Sequence, residues 1–272
     1  MFPFWSPSSS APLSAPSPAT LPDACTADNS AFAVGEEVTY KLYYNLNFIW
    51  LPAGEVIFKV AEQGEQYHLS VVGKTYKSYE WFFKVRDYYD TYVDKESLLP
   101  VLSLRDVREG GYTVYDRVKF DQDARQAIAE RGRTKTTIKE YHEIALDDCM
   151  HDILSTIYFT RNLDYADLAR VEQVPLHVFM DKKAHYLHMR YMGADSNKKI
   201  KGLGRFRTQI VSPQVVVGEV FKEEDGVKIW VSDDANRLPL LIESPLSVGA
   251  VKAVLKEYKN LRYDLSAQLS HH

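Results

Sequence analysis

The sequence predicts a mainly β protein: two curved antiparallel sheets, half-barrel-like and internally repeated, with one central α-helix. Three observations carry this. From Phe32 onward the chain is cut into short stretches rich in Val, Ile, Tyr, Phe and Thr, separated by Gly, Asn and Asp, as in strands joined by turns. One segment near the middle has apolar residues three or four apart instead of two. Five residues also recur with an identical partner 139 positions later.

The start of the chain has a different texture. Six of the twelve prolines lie in the first 22 residues, residues 1–26 contain no Lys or Arg, and Pro and Ser interrupt every apolar stretch. Such a segment can neither bury a core nor hold a helix, so residues 1–31 read as a disordered Pro/Ser-rich leader. It lacks the cationic start and unbroken apolar stretch of a secretory signal, which was either removed before this numbering or never present. No run reaches the roughly 18 apolar residues of a membrane-spanning helix, so no membrane-spanning segment is expected. The net charge of −4 argues against a protein that binds nucleic acid or acidic membranes through an overall basic excess.

The body, residues 32–264, opens with Val38-Thr39-Tyr40-Lys41-Leu42-Tyr43, whose side chains alternate between two faces. Gly54 begins a second run through Val60, and the Glu62-Gln63-Gly64-Glu65 turn returns the chain through Tyr67 to Val72 as a hairpin. Asp147 or Asp148 can cap a helix in which Met150, Ile153, Leu154, Ile157 and Tyr158 form one apolar stripe, with Arg161 and Asn162 at its C-terminus. Strands resume at Leu176–Met180, turn at Asp181-Lys182-Lys183, and continue through Tyr186–Met192, Phe206–Val211, Val215–Phe221 and Val227–Val231. Two similar halves, about 32–146 and 175–264, are thus joined by a helical segment, 147–168. The repeat supports the division: Asp94, Leu99, Pro100, Leu102 and Gly110 match Asp233, Leu238, Pro239, Leu241 and Gly249. After Gly249 the pattern also fits a helix, and the repeat argues for a strand.

The two cysteines, Cys25 and Cys149, fit one disulfide formed in an oxidising compartment and closing a long loop. Two separate thiols, or a lipid-anchored Cys25, are the alternatives. The opening Ala31-Phe32-Ala33-Val34-Gly35-Glu36-Glu37-Val38-Thr39-Tyr40, the Ala53-Gly54-Glu55 hairpin, and the late Trp230-Val231-Ser232-Asp233-Asp234-Ala235-Asn236-Arg237-Leu238-Pro239 with Gly249 resemble domain-of-unknown-function family 3108. The resemblance spans roughly residues 32–262. It implies an exported protein of a Bacteroidetes-like bacterium, periplasmic or at the cell surface, and it brings no activity or ligand. The Pro-rich leader itself reads as a membrane tether, with Cys25 as its fastening. The repeated pattern of strand, Asp loop, Pro and strand is also similar, in architecture alone, to half-barrel carriers of lipids or lipoproteins in the periplasm.

Chemistry is harder to find. The chain has no nucleophile elbow, phosphate-binding glycine loop or His-Glu-x-x-His, and no cofactor is expected. Asp148, His151 and Asp152 could share a helical face as metal ligands, with His177 or His185 as a third donor, but acidic residues also simply cap helices. Lys198, Lys199, Lys201, Arg205 and Arg207 form a basic hairpin able to hold an anionic head group, or a solvated edge. Tyr76, Tyr79, Trp81, Phe82, Phe83, Tyr88, Tyr89 and Tyr92 are too many for one strand face to bury, and Trp50 sits in an apolar turn that needs a cover. The candidate ligand-binding residues are therefore Trp50, Tyr79, Trp81, Phe82, Tyr89, Lys201 and Arg205. The expected function is non-enzymatic binding of a lipid-like or glycan ligand, or of an envelope protein; a metal-assisted hydrolase and an envelope scaffold are the alternatives.

Overall fold

The computed structural model describes residues 24–25, 27–46, 49–171, 173–215, 226–246 and 249–270. Most of the predicted leader and most of the predicted strand Val215–Phe221 lie outside them.

Alternation does produce strands. In chain order they are β1 (Glu37–Leu46), β2 (Ile49–Gln63), β3 (Gln66–Thr75), β4 (Arg86–Asp94), β5 (Pro100–Glu109), β6 (Tyr112–Asp121), β7 (Gln126–Gly132) and β8 (Ile138–Ala145). The short helices α1 (Ile153–Thr160) and α2 (Tyr165–Val171) follow. The chain then forms β9 (Gln173–Met180), β10 (Lys183–Ile200), β11 (Gly204–Pro213), β12 (Lys228–Ser232), β13 (Pro239–Pro245), β14 (Ala250–Lys259) and β15 (Gln268–Ser270). The pairing is antiparallel throughout, in the order β8-β7-β6-β5-β4-β3-β2-β1-β14-β13-β12-β11-β10-β9, with β15 on β11. The predicted half-sheets are continuous, because β1 pairs with β14 from Glu37↔Lys259 to Asn45↔Ala250. The segment after Gly249 is a strand, and that glycine is required: its φ is +77°, and a Cβ there would lie 2.1 Å from the Asn45 carbonyl oxygen.

The sheet curls without closing into a barrel. Its two ends meet through contacts other than a ladder: His151 and Val178 form a lone parallel bridge, and the Phe179 ring packs edge-on at 5.7 Å against Phe120. The β9–β10 turn adds a charged tie. Asp181 and Lys182 both have positive φ, as a two-residue type I′ turn requires, and Asp181 Oδ1 accepts from Arg105 at 2.5 Å and Arg131 at 2.6 Å.

The helical segment differs from its prediction. Asp147 and Asp148 do not cap it; Asp152 does, accepting the Ser155 amide at 2.8 Å while the Ser155 hydroxyl accepts the Asp152 amide in a capping box. The acidic pair belongs to an extended stretch, and the one helix expected over 147–168 is two. Leu154 and Tyr158 pack with Phe32, Leu69 and Val93, so α1 lies on the sheet with its apolar stripe inward. Phe159 packs with Leu168, Val174 and Met189 on the other side.

The two meanders share detail. Pro100 and Pro239 both follow a register shift, Leu98 and Arg237 both have positive φ, and so do Gly110 and Gly249. Their loops differ by one residue. The Asp94 amide donates to the Leu99 carbonyl, whereas it is the Ser232 amide, not that of Asp233, that donates to Leu238.

Candidate functional site

A cavity of about 150 Å³ lies between α1 and the sheet. Val38 and Tyr40 of β1, Phe58 of β2, Ile157 and Tyr158 of α1, and Val231 and Leu238 from β12 and the loop after it supply its walls, which are almost wholly apolar. The two segments whose residues carry the family resemblance converge here. Glu36 comes from the opening motif, and Val231, Arg237, Leu238 and Pro239 come from the closing one.

Arg161 holds these walls together. It caps the C-terminus of α1, and its guanidinium donates to Glu36 at 2.5 and 3.0 Å, to the Asn236 carbonyl at 3.2 Å and to the Ala31 carbonyl at 3.2 Å. Both side chains of the pair are buried. Burial works against the charge on Arg161, but the Glu36 carboxylate beside it outweighs that and holds the guanidinium above its ordinary pKa. The segment before Phe32 is part of the same knot: Asn162 Oδ1 accepts from the Ser30 and Ala31 amides, and Ala31 is fully buried. Residues 27–31, assigned to the leader from sequence, thus pack into the body.

Polar groups facing the cavity are few. The Tyr40 hydroxyl donates to the Pro239 carbonyl at 2.8 Å. The phenols of Tyr158 and Tyr165, 2% and 9% exposed, have no hydrogen-bond partner among the described residues. Burial pushes both well above the ordinary tyrosine pKa, so both remain neutral donors. Arg237 lines the same cavity, half-buried, and contacts the Arg161 carbonyl at 3.3 Å and the Ser30 hydroxyl at 3.4 Å with no carboxylate in salt-bridge range among the described residues. Two phenols without a protein partner and a guanidinium, all opening onto an apolar hollow, make a site able to orient one polar group.

The residues singled out from sequence lie elsewhere. Trp50 and Lys201 share a cleft with Tyr43, Lys198, Lys199 and Lys252, because the end of the β10–β11 hairpin folds across the sheet and buries Ile200 and Phe206 against Trp230 and Leu241. Lys252 Nζ lies 4.4 Å from the Trp50 ring centroid and Lys201 Nζ 5.1 Å from that of Tyr43. Arg205 donates to the Asn197 carbonyl at 3.1 Å. Tyr79, Trp81 and Phe82 form a separate aromatic group in the β3–β4 connection, with ring centroids 5.4 and 6.0 Å apart. Tyr89 lines a hollow of about 40 Å³ beside Arg105 and Asp116, where burial pushes its pKa up to about 12.

The proposed metal ligands do not converge. Asp152 Oδ2 accepts from Thr91 at 2.5 Å and Ser103 at 2.6 Å, and His151 is buried between the Ser155 hydroxyl and the Ala24 carbonyl. Asp148 faces the other way: the Cys149 amide and Arg125 hold its carboxyl below the ordinary range, and His177 Nδ1 lies 3.4 Å from its Oδ2. Cys25 and Cys149, with Cα atoms 5.5 Å apart, are joined by a disulfide. Cys25, Asp148 and Cys149 are the only three potential ligands clustered among the described residues, and that bond occupies both sulfurs.

Sequence reading missed Glu36, Tyr158, Arg161, Tyr165 and Arg237 as site residues. Glu36 and Arg237 stood inside the two quoted motifs, which was the available signal. Arg161 was read only as a helix end, since its partner lies 125 residues away.

Comparison with known proteins gives a family and a fold. The family described as protein of unknown function (DUF3108) matches residues 39–256. No curated protein matches. Among solved structures, a β-barrel-like protein of domain of unknown function DUF1849 from Brucella abortus superposes with a TM-score of 0.52 at 8% identity, covering 85% of this chain and 98% of that one. A protein with a YmcC-like fold from Bacteroides fragilis gives a TM-score of 0.29 at 8% identity, over 86% and 99%.

Proposed function

The chain belongs to the DUF3108 family of proteins of unknown function, and from that premise we propose that it is an exported, non-enzymatic binding protein for a small lipid-like molecule. The ligand's apolar part lies in the cavity under α1, and its polar end meets Tyr158, Tyr165 and Arg237. The observation that carries this reading is a largely apolar cavity onto which two phenols without a protein partner, Tyr158 and Tyr165, open together with Arg237. A cavity of this size takes up about one six-carbon ring or a chain of similar bulk. A glycan fits less well, because its hydroxyls would need a dense polar lining. A carboxylate end suits two phenol donors and a guanidinium with no acidic partner.

Export is part of the proposal, supported by the disulfide, which persists in oxidising compartments. No helix among the described residues is long and apolar enough to cross a membrane. The division into two halves around the helical segment belongs to the same reading, in which the cavity lies where both halves and α1 meet.

Calorimetric titration with linear carboxylates of about four to ten carbons tests it. Each methylene that enters contributes about 0.8 kcal/mol, so affinity rises about four-fold per carbon until the cavity is full and then levels off. Ile157→Phe, which fills the cavity, abolishes binding without lowering Tm. Absence of binding across the series, or equal binding by Ile157→Phe, overturns the proposal.

A further inference from the structure

Exposed aromatic and aliphatic side chains gather at one end of the sheet, away from the cavity. Ile49, Trp50 and Leu51 open β2 and are 62%, 36% and 41% exposed. Trp81 and Phe82, in the β3–β4 connection, are 85% and 52% exposed. These two groups are neighbours: Leu51 pairs with Tyr44 of β1, and the Phe82 ring centroid lies 6.3 Å from that of Tyr44. Phe83, also exposed, reaches the β5–β6 turn, where a Cβ on Gly110 would lie 3.1 Å from its ring, and Tyr112 just beyond is 59% exposed. Several adjacent connections thus end in exposed apolar side chains, and contiguous exposed apolar surface of this kind marks a contact site.

Cations flank the patch. Lys77 and Lys84 bracket the aromatic connection, exposed and without an ion pair among the described residues. Lys252 lies over the Trp50 ring and is paired with Glu243 at 2.7 Å, whereas Lys198, Lys199 and Lys201, which line the cleft beside it, have no carboxylate in salt-bridge range among the described residues. The molecule's net charge of −4 is therefore unevenly placed, with a local basic excess beside the exposed rings.

Aromatic rings that enter the headgroup layer, bordered by lysines, match one surface: a bilayer containing anionic lipid. We infer that this end of the sheet docks reversibly on an anionic membrane surface, with Trp81 and Phe82 entering the interface and Lys77, Lys84 and the lysines around Trp50 contacting headgroups. A protein partner would also value exposed aromatics, but Lys77, Lys84, Lys198, Lys199 and Lys201, all without an ion pair among the described residues, favour lipid. The inference is independent of the cavity, since none of these side chains lines it.

Flotation of the full chain with unilamellar vesicles tests it, using phosphatidylcholine alone or with phosphatidylglycerol. The protein is expected to float with the anionic vesicles, to be largely released at high salt, and to show quenching of tryptophan emission by brominated lipid. Trp81→Asp with Phe82→Ser weakens binding by about ten-fold or more, and Lys77→Glu with Lys84→Glu weakens it at low salt. All four positions are exposed, and an unchanged Tm shows that the variants fold. No association with anionic vesicles, or association unaffected by the aromatic pair of substitutions, overturns the inference.

Discussion

At the scale of single residues, Arg161 and His151 show how burial turns ordinary side chains into structural determinants. Arg161 joins residues from the segment before β1, from β1's approach and from the β12–β13 loop, all through charge-assisted bonds in a buried setting. Removing it strands the Glu36 carboxylate, so Arg161→Ala costs about 3–5 kcal/mol in denaturant unfolding, whereas Arg161→Met with Glu36→Leu recovers most of that loss. His151 is buried, and burial lowers its pKa to about 4. Unfolding returns it to about 6.5, so between those values the unfolded chain binds the extra proton and stability falls as pH drops. The loss is complete near pH 4 and on the order of 3 kcal/mol; a His151→Gln variant lacks that part of the stability–pH curve. Neither role was legible in the sequence. A histidine beside two acids suggests a metal ligand, and only the fold shows its ring closed off by Ser155 and Ala24.

Among elements, what could be read was whatever local alternation decides. The strands around Val38, Val56 and Val71 and the apolar stripe of α1 followed from side-chain period, because each buries one face. The position of the helix cap was not legible: Asp147, Asp148 and Asp152 are chemically alike, and Asp152 is the one that Thr91 and Ser103 hold in place. The tie at the sheet's ends was equally hidden, since Asp181 looks like a turn residue and meets Arg105 and Arg131 only when the sheet curls. Asp181→Ala leaves those two guanidiniums with Asp116 alone and frees the β9–β10 hairpin, which should show as faster amide exchange in β9 with little change at β1. The disulfide spans 124 residues and anchors Cys25 beside Asp148. Loop closure on that scale gives about 5 kcal/mol in the chain-entropy view, so reduction or Cys149→Ser should lower unfolding free energy by about 2–5 kcal/mol.

For the whole molecule, composition and repeat pointed to β meanders around a helix, and the fold has that character as one continuous curled sheet. The pairing of β1 with β14, which turns two meanders into one sheet, brings together residues more than 200 positions apart and leaves no local trace. The same long-range closure places Glu36, Arg161 and Arg237 around one cavity. That is why several aromatic and basic residues conspicuous in the sequence, such as Trp81, Phe82 and Lys201, lie outside the cavity, whose walls are built from residues with no local signal. The measurement that tests this account most directly is a crystal structure of the protein soaked with hexanoate. The account predicts the chain in the cavity under α1, its carboxylate within hydrogen-bond distance of Tyr158 or Tyr165 and facing Arg237. An empty cavity at saturating hexanoate, or hexanoate bound only outside it, would contradict the account.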